Sequence, residues 1–442
     1  MEQPVRGAYI YWIAPEWPGG RIGCDQSKGI TMMNDPCDIK RRHVLQSLAA
    51  ASAGCLAVGL PKVTQAADAI TLPFDNGLRE LTTAFPQKGG MLLVRSRPPL
   101  LETPFSVFDE GVFTPNDRFY VRWHLASIPT RIDGRTFRVK VRGSVSRELD
   151  LGLEELSTKF ERVEMAAVNQ CAGNSRGFFT PRVAGGEWGN GAMGNALWTG
   201  VRLRDILDHA GVKRGAVQVR FNGLDTGVIP DTPDFIKTLT LDHARDGEVM
   251  VAFGMNGKPL PLLNGYPLRL VVPGWYSTYW MKMLNDIEVI DTPDTNYWMA
   301  KAYQIPDTPH ANVSPGQTGI KTLPISGMVP RSFFTNVSDG SVLDLNRAQT
   351  VRGIAFGGNS GVRDVLVSHD SGVTWTSARL GRDFGKYSFR RWETQFVPQR
   401  AGQYVLKVKA INTDGTAQPD TPNWNPGGYM RNVIETATVI AA

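Results

Sequence analysis

Apolar and polar residues alternate with a period of two over residues 137–145, the pattern of a half-buried strand. Residues 151–160 suit a short helix. Residues 201–210 carry apolar positions at helical spacing up to Gly211, which supplies a stop. Short apolar segments at 163–168, 217–221, 249–253 and 268–272 predict further strands, the first breaking at Asn169-Gln170 into a loop that holds Cys171. Helices and strands mingle without the regular rhythm of a doubly wound sheet, so an α+β domain is expected.

The pattern changes after residue 305. Prolines at 306, 309, 315, 324 and 330 interrupt a stretch with little periodicity, which reads as a linker over 305–331. Beyond it, short alternating strands are expected at 351–356, 364–368, 373–378, 389–396 and 404–410, with Asp370-Ser371-Gly372 as a hairpin turn. Strands at this spacing predict an all-β immunoglobulin-like sandwich held by packing alone.

The first apolar run, residues 44–60, follows Lys40-Arg41-Arg42 and falls short of the about 20 residues of a membrane span. Adjacent arginines before a mild apolar stretch, with Thr64, Ala66, Ala67 and Ala69 beyond it, read as a twin-arginine export signal over 32–69. The competing reading is an amphipathic helix with a basic start. Residues 1–31 then read as an extension upstream of the true start, and the expected location is the periplasm. The mature chain is expected to divide into a first domain at 70–317 and a C-terminal domain at 318–442, with no membrane span. Of four cysteines, Cys24, Cys37 and Cys55 precede the cleavage region, leaving Cys171 alone. A lone thiol in an oxidising compartment is either a buried small hydrophobe or is held by something else.

Composition narrows the classes. The chain has 442 residues, 42% hydrophobic and 20% charged, with 46 Gly and 29 Pro, which excludes a disordered chain and a long coiled coil. A net charge of +6 without a dense basic block gives no nucleic-acid footprint. Gly189-Asn190-Gly191-Ala192-Met193-Gly194 satisfies GxGxxG, but the residues before it are a glycine-broken loop rather than a strand, so no dinucleotide site is expected. CxxC and HExxH zinc patterns are absent, and without CxxCH this chain carries no covalent haem.

Around Cys171, small and amide residues let the backbone approach a bulky ligand, and Arg176 brings positive charge that favours a thiolate, the form that binds soft metals. A nucleophilic cysteine is the rival, but no local His would serve as its base. The segment Asn169-Gln170-Cys171-Ala172-Gly173-Asn174-Ser175-Arg176 resembles the molybdenum-ligating loop of the sulfite oxidase family. The resemblance covers nearly all of the mature chain: Phe119 to His124, Trp198 to Leu207, Gly223-Leu224-Asp225, Met255-Asn256-Gly257, Gly265-Tyr266-Pro267 with Arg269, Trp280-Met281-Lys282 and the hairpin Val367 to Trp375 follow in family order.

The resemblance implies a molybdenum–molybdopterin cofactor with Cys171 as the metal ligand. Tyr120, Val121, Arg122, Trp123, His124, Asp225, Asn264, Arg269, Trp280, Met281 and Lys282 would line the pterin and its phosphate; Asn264 stands where animal members carry His. Catalytic roles would fall to Tyr303, Arg122, Arg176 and His124, with Arg431 as the arginine contributed by the C-terminal domain. For an isolated arginine the ordinary reading is a solvated surface charge, and for Tyr303 a core aromatic with its hydroxyl bonded. The implied activity is oxidation of sulfite to sulfate, with electrons passed to a separate c-type cytochrome and a homodimer formed through the C-terminal domain. Two alternatives stay open: an exported sulfoxide reductase of the same fold, or a secreted binding protein without metal. A nitrate reductase would normally bring fused haem and flavin domains.

Overall fold

The computed structural model describes residues 79–442. The expected upstream extension, the export signal and the first residues of the 70–317 domain lie outside the described residues. Among the described residues no helix is long and apolar enough to cross a membrane.

Strands dominate, which corrects the α+β expectation. The helices run one or two turns; the helix Leu203–Ala210 ends at Gly211, which adopts φ 71° and bonds back to Leu207 and Asp208. Val201 and Arg202, expected in that helix, instead end the ten-residue strand Met193–Arg202. This strand lies between Arg162–Gln170 and Met250–Met255, both antiparallel to it. Its glycines hide it from periodicity, yet the packing requires them. A Cβ on Gly200 would fall 2.2 Å from the Val251 carbonyl, and one on Gly194 would fall 2.5 Å from the Phe119 ring.

Two further sheets precede the C-terminal part. A four-stranded antiparallel sheet runs Leu81–Thr82, Met91–Arg95, Leu100–Glu102 and Val121–Arg122. A mixed sheet has the order Lys237–Thr240, Gln218–Gly223, Leu284–Ile290, Val139–Gly143 and Leu149–Leu151, in which only Leu284–Ile290 and Val139–Gly143 are parallel. The glycine turn 189–194 opens a strand, not a helix, and buried Glu102 accepts the Gly189 and Gly191 N–H groups at 2.9 Å each. That disposes of a dinucleotide fingerprint.

The stretch read as a linker is partly structured: Gln304–Pro306 pairs with Thr322–Pro324. Beyond it two sheets enclose a core containing Val351, Val365, Val367, Trp392, Leu406 and Val408. One sheet runs Arg331–Phe334, Gln349–Phe356, Arg390–Phe396 and Arg379–Leu380; the other runs Val342–Leu343, Glu435–Ala441, Gly402–Asn412, Val362–Ser368 and Thr376–Ser377. The expected strand 373–378 shrinks to Thr376–Ser377, with Val373 80% exposed. The C-terminal part shares buried core with the rest. Phe105 meets Phe333 and Phe108 meets Phe389, ring to ring. Asp109 accepts Arg352 through both carboxylate oxygens and also the Thr335 hydroxyl.

Candidate active site

Val121–Arg122 form a short strand, and the side chains on either side of it alternate in direction. Tyr120, Arg122 and His124 face a narrow cavity that also receives Cys171, Asn169, Asn264, Arg269, Lys282 and Tyr303. Val121 and Trp123 point the other way into a small core with Met91, Leu101 and Met283, which corrects their assignment as lining residues. Trp123 acts from behind: its indole donates to the Leu263 carbonyl at 3.0 Å and its ring carries the Lys282 ammonium at 4.5 Å.

The strand Arg162–Gln170 delivers Cys171 to the cavity. Cys171 N–H donates to Ala192 O at 2.9 Å, Ser175 N–H to Gly189 O at 2.7 Å, and Gly177 N–H to Trp188 O at 2.9 Å, so the loop is held along its length by the glycine turn. Ser175 adopts φ 67° and leads into the turn Arg176–Phe178. Arg176 then bonds the carbonyls of Gly186, Gly427 and Gly428 and lies 5.2 Å from the Tyr429 ring centroid. A second cleft joins Arg176 to Cys171, Arg95, Arg122, Tyr303 and Tyr429.

Arg269 is enclosed between the Trp198 and Trp280 rings, at 5.1 and 5.6 Å, and donates to Asn264 O and Asn169 Oδ1. Asn169 Oδ1 also accepts the Tyr120 hydroxyl at 2.7 Å. Asn264 bridges the Lys88 ammonium and the Tyr120 carbonyl, so its amide is used twice where a charged imidazole would face a cation. Met281 is buried core, acting through its backbone carbonyl. Asp225 is 3% exposed behind the cavity, with Oδ2 unpartnered, and burial raises its pKa against the pull of Lys282.

Positive charge gathers here without matching negative charge. Burial lowers Lys88 and Lys282 to about 7 each, with Arg269 adding to the effect on Lys282, and lowers Arg269 to about 10. Burial, then the charges of Arg122, Lys282 and Lys237, hold His124 well below the usual histidine value, so the imidazole is neutral. Its Nε2 lies 2.5 Å from the Tyr303 hydroxyl, and burial pushes that phenol upward. Five buried polar atoms at the cavity lack partners: Arg122 Nη1, His124 Nδ1, Asn169 Nδ2, Arg269 Nε and Thr278 Oγ1. Unpaired buried donors and surplus cation are what an anionic, hydrogen-bonding organic group would satisfy. Among the described residues no three His, Cys, Asp or Glu side chains converge on one point, so a metal on Cys171 would take its other ligands from that group. The residues fit a phosphate-bearing pterin that carries a thiophilic metal.

Arg431 does not join the cleft. Its guanidinium lies over the Phe178 ring and within 3.5 Å of Glu435, which captures it four residues on. The C-terminal part contributes Gly427 and Tyr429 instead, and Tyr429 stacks on Tyr303 at 5.2 Å. Tyr429, Lys88, Asn169 and Thr278 were not singled out from the sequence.

Behind His124, Phe235 stacks at 3.5 Å and Trp298 crosses both rings. Asp294 fixes this wall: its carboxylate accepts Arg220 twice at 3.1 Å, the Thr238 hydroxyl and the Asn296 amide. Burial alone would raise its pKa, but these bonds win and hold it at about 2. Asp294→Asn is expected to cost about 2 kcal/mol in urea unfolding at neutral pH. A carboxyl depressed from 3.8 stabilises above its unfolded value, so this difference disappears as pH falls from 3.8 through about 2.

Comparison with known proteins agrees with this geometry. Residues 124–298 match the oxidoreductase molybdopterin-binding domain and residues 323–440 the Mo-co oxidoreductase dimerisation domain. Human mitochondrial sulfite oxidase is 34% identical over 367 residues, covering 78% of this chain and 65% of that protein. Chicken sulfite oxidase is 33% identical over 373 residues, covering 80% of this chain and 77% of that protein. This chain thus spans less than two thirds of the length of the human relative. The sulfane dehydrogenase SoxCD from Paracoccus pantotrophus shares the fold, with a TM-score of 0.65 at 23% identity over 81% of this chain and 87% of that one. With both domain families in order and the cysteine loop set in a cationic cavity, the chain belongs to the sulfite oxidase family of molybdenum–molybdopterin proteins.

Proposed function

We propose that this protein oxidises sulfite to sulfate in the periplasm after twin-arginine export, passing electrons to a c-type cytochrome. One observation carries the reading: Arg122, with Nη1 buried and unpartnered, shares its cavity with the Cys171 thiol and its cleft with Arg176. Relatives at about a third identity bear the name sulfite oxidase. The overall change is sulfite plus water giving sulfate, two protons and two electrons, the electrons leaving singly to two ferric haems.

Cys171 would hold the metal, Arg269 and Lys282 the pterin phosphate, and Tyr120, Asn169 and Asn264 the pterin edge. When bound, the group supplies two-electron oxidation coupled to oxygen-atom transfer. Arg122 and Arg176 bind the dianion by charge-assisted bonds and orient it toward Cys171. Tyr303 holds a proton on its hydroxyl near the reacting oxygen. With His124 neutral, the tautomer that carries its hydrogen on Nδ1 leaves Nε2 to accept that proton. The rings of Phe235, Trp298 and Tyr429 limit water on that side. We read the C-terminal sandwich as immunoglobulin-like and as the dimer contact.

A second reading, oxidation of a sulfane sulfur carried on a longer thiol, draws on the fold shared with SoxCD and on one feature of the cleft. Gly173, Gly185, Gly186 and Gly427 line the cleft beside Arg95, Arg122 and Arg176, so part of its lining carries no side chains and leaves room for a longer substrate.

The test is molybdenum content measured together with sulfite-dependent cytochrome c reduction. Metal with sulfite turnover supports the proposal. Metal with turnover only of a sulfane-bearing thiol supports the second reading, and no metal overturns both. Arg176→Met is expected to raise the KM for sulfite about tenfold in steady-state kinetics while molybdenum content stays unchanged.

A further inference from the structure

Ser175 sits four residues after Cys171 and immediately before Arg176. It is fully buried at φ 67°, ψ 17°, a left-handed conformation that strains any residue with a side chain. Its N–H donates to Gly189 O, and its hydroxyl donates to Asn190 Oδ1 at 2.6 Å. The same hydroxyl oxygen accepts from Arg331 Nη2 at 3.2 Å.

Arg331 comes from the other part of the molecule, as the first residue of the strand Arg331–Phe334. It is 1% exposed. Nη1 donates to the Arg431 carbonyl and Nη2 also to Glu435, each at 2.7 Å, while Nε has no partner. An enclosed guanidinium is costly to desolvate, so its ion pair with Glu435 is by itself weak evidence for stability, and removing Arg331 alone leaves Glu435 to Arg431 at 3.5 Å. What the guanidinium adds is a donor on the strained residue of the cysteine loop. A second tie crosses nearby, from Met430 N–H to Ala172 O at 2.9 Å.

We propose that Arg331 is a positioning residue that, through the Ser175 hydroxyl, fixes the turn setting Cys171 relative to Arg176. The C-terminal part thereby completes the site without touching substrate. The kinetic arm of the test rests on the sulfite reading; the exchange arm does not.

Arg331→Met, Arg331→Lys, Ser175→Gly and the double variant Arg331→Met/Ser175→Gly are compared as full-length, metal-loaded protein. Amide hydrogen exchange over 171–178 is expected to quicken about fivefold or more in Arg331→Met and Ser175→Gly, with Arg331→Lys intermediate. The double variant should then match the larger single effect rather than their product. KM for sulfite should rise about tenfold while kcat per molybdenum changes less than about threefold. Exchange over 171–178 unchanged in Arg331→Met, or effects of Arg331 and Ser175 that multiply in full, would overturn the proposal. If the exchange coupling holds and no variant or parent turns over sulfite, positioning stands and the sulfite reading falls.

Discussion

Cys171→Ser is expected to lower turnover by at least about 10³-fold while the protein keeps its fold and its affinity for the pterin. Serine preserves shape but offers a hard, protonated oxygen where a soft metal needs a thiolate. The fold should survive because the loop is held by backbone groups: Cys171 N–H on Ala192 O, Asn174 N–H on Cys171 O, and Asn174 Oδ1 accepting Ala192 N–H. The pterin contacts would fall to Arg269, Lys282 and Asn264, which the substitution does not touch. Retained fluorescence of extracted pterin beside lost turnover is the expected pair of results. Loss of both would place Cys171 among the folding determinants instead.

Arg122→Met should reduce kcat/KM for sulfite on the order of 10²–10³-fold, chiefly through KM. Arg122 is the arginine shared by the cavity and the cleft, and its Nη1 is free, whereas Arg176 already spends its guanidinium on three backbone carbonyls. Lysine at 122 should recover only part of the loss, because a point charge cannot grip an oxyanion with two parallel donors. Molybdenum content should stay near that of the parent. A drop confined to metal content with normal KM per metal would move Arg122 from substrate to cofactor.

The residues that line the cavity were legible where local pattern and family motif coincided. The cysteine loop, Tyr120, Arg122, His124, Arg269, Lys282 and Tyr303 meet in one cavity. Applied strictly, the period of two would have separated Val121 and Trp123 from their neighbours, since extended backbone cannot aim adjacent side chains at one cavity. The strand Met193–Arg202 was illegible because Gly194 and Gly200, which its neighbours' close approach demands, erase the alternation. Arg431 was expected from the family resemblance as the arginine contributed by the C-terminal domain, yet Glu435 holds it aside and the uncharged Tyr429 reaches the cleft. Lys88 lay in an unremarkable polar stretch; only the fold brings it to Asn264, 176 positions away. The helix before Gly211 followed from apolar spacing and that stop, but the subordinate share of helices in the fold depended on long-range strand pairing that no local window contains.

The central claim is that one protein sulfur binds molybdenum in this cavity. X-ray absorption at the molybdenum edge, on the parent and on Cys171→Ser, tests it most directly. The account predicts that the variant loses one sulfur neighbour around the metal and gains a lighter atom or none. An identical sulfur shell in the two proteins, with molybdenum present in both, would contradict it.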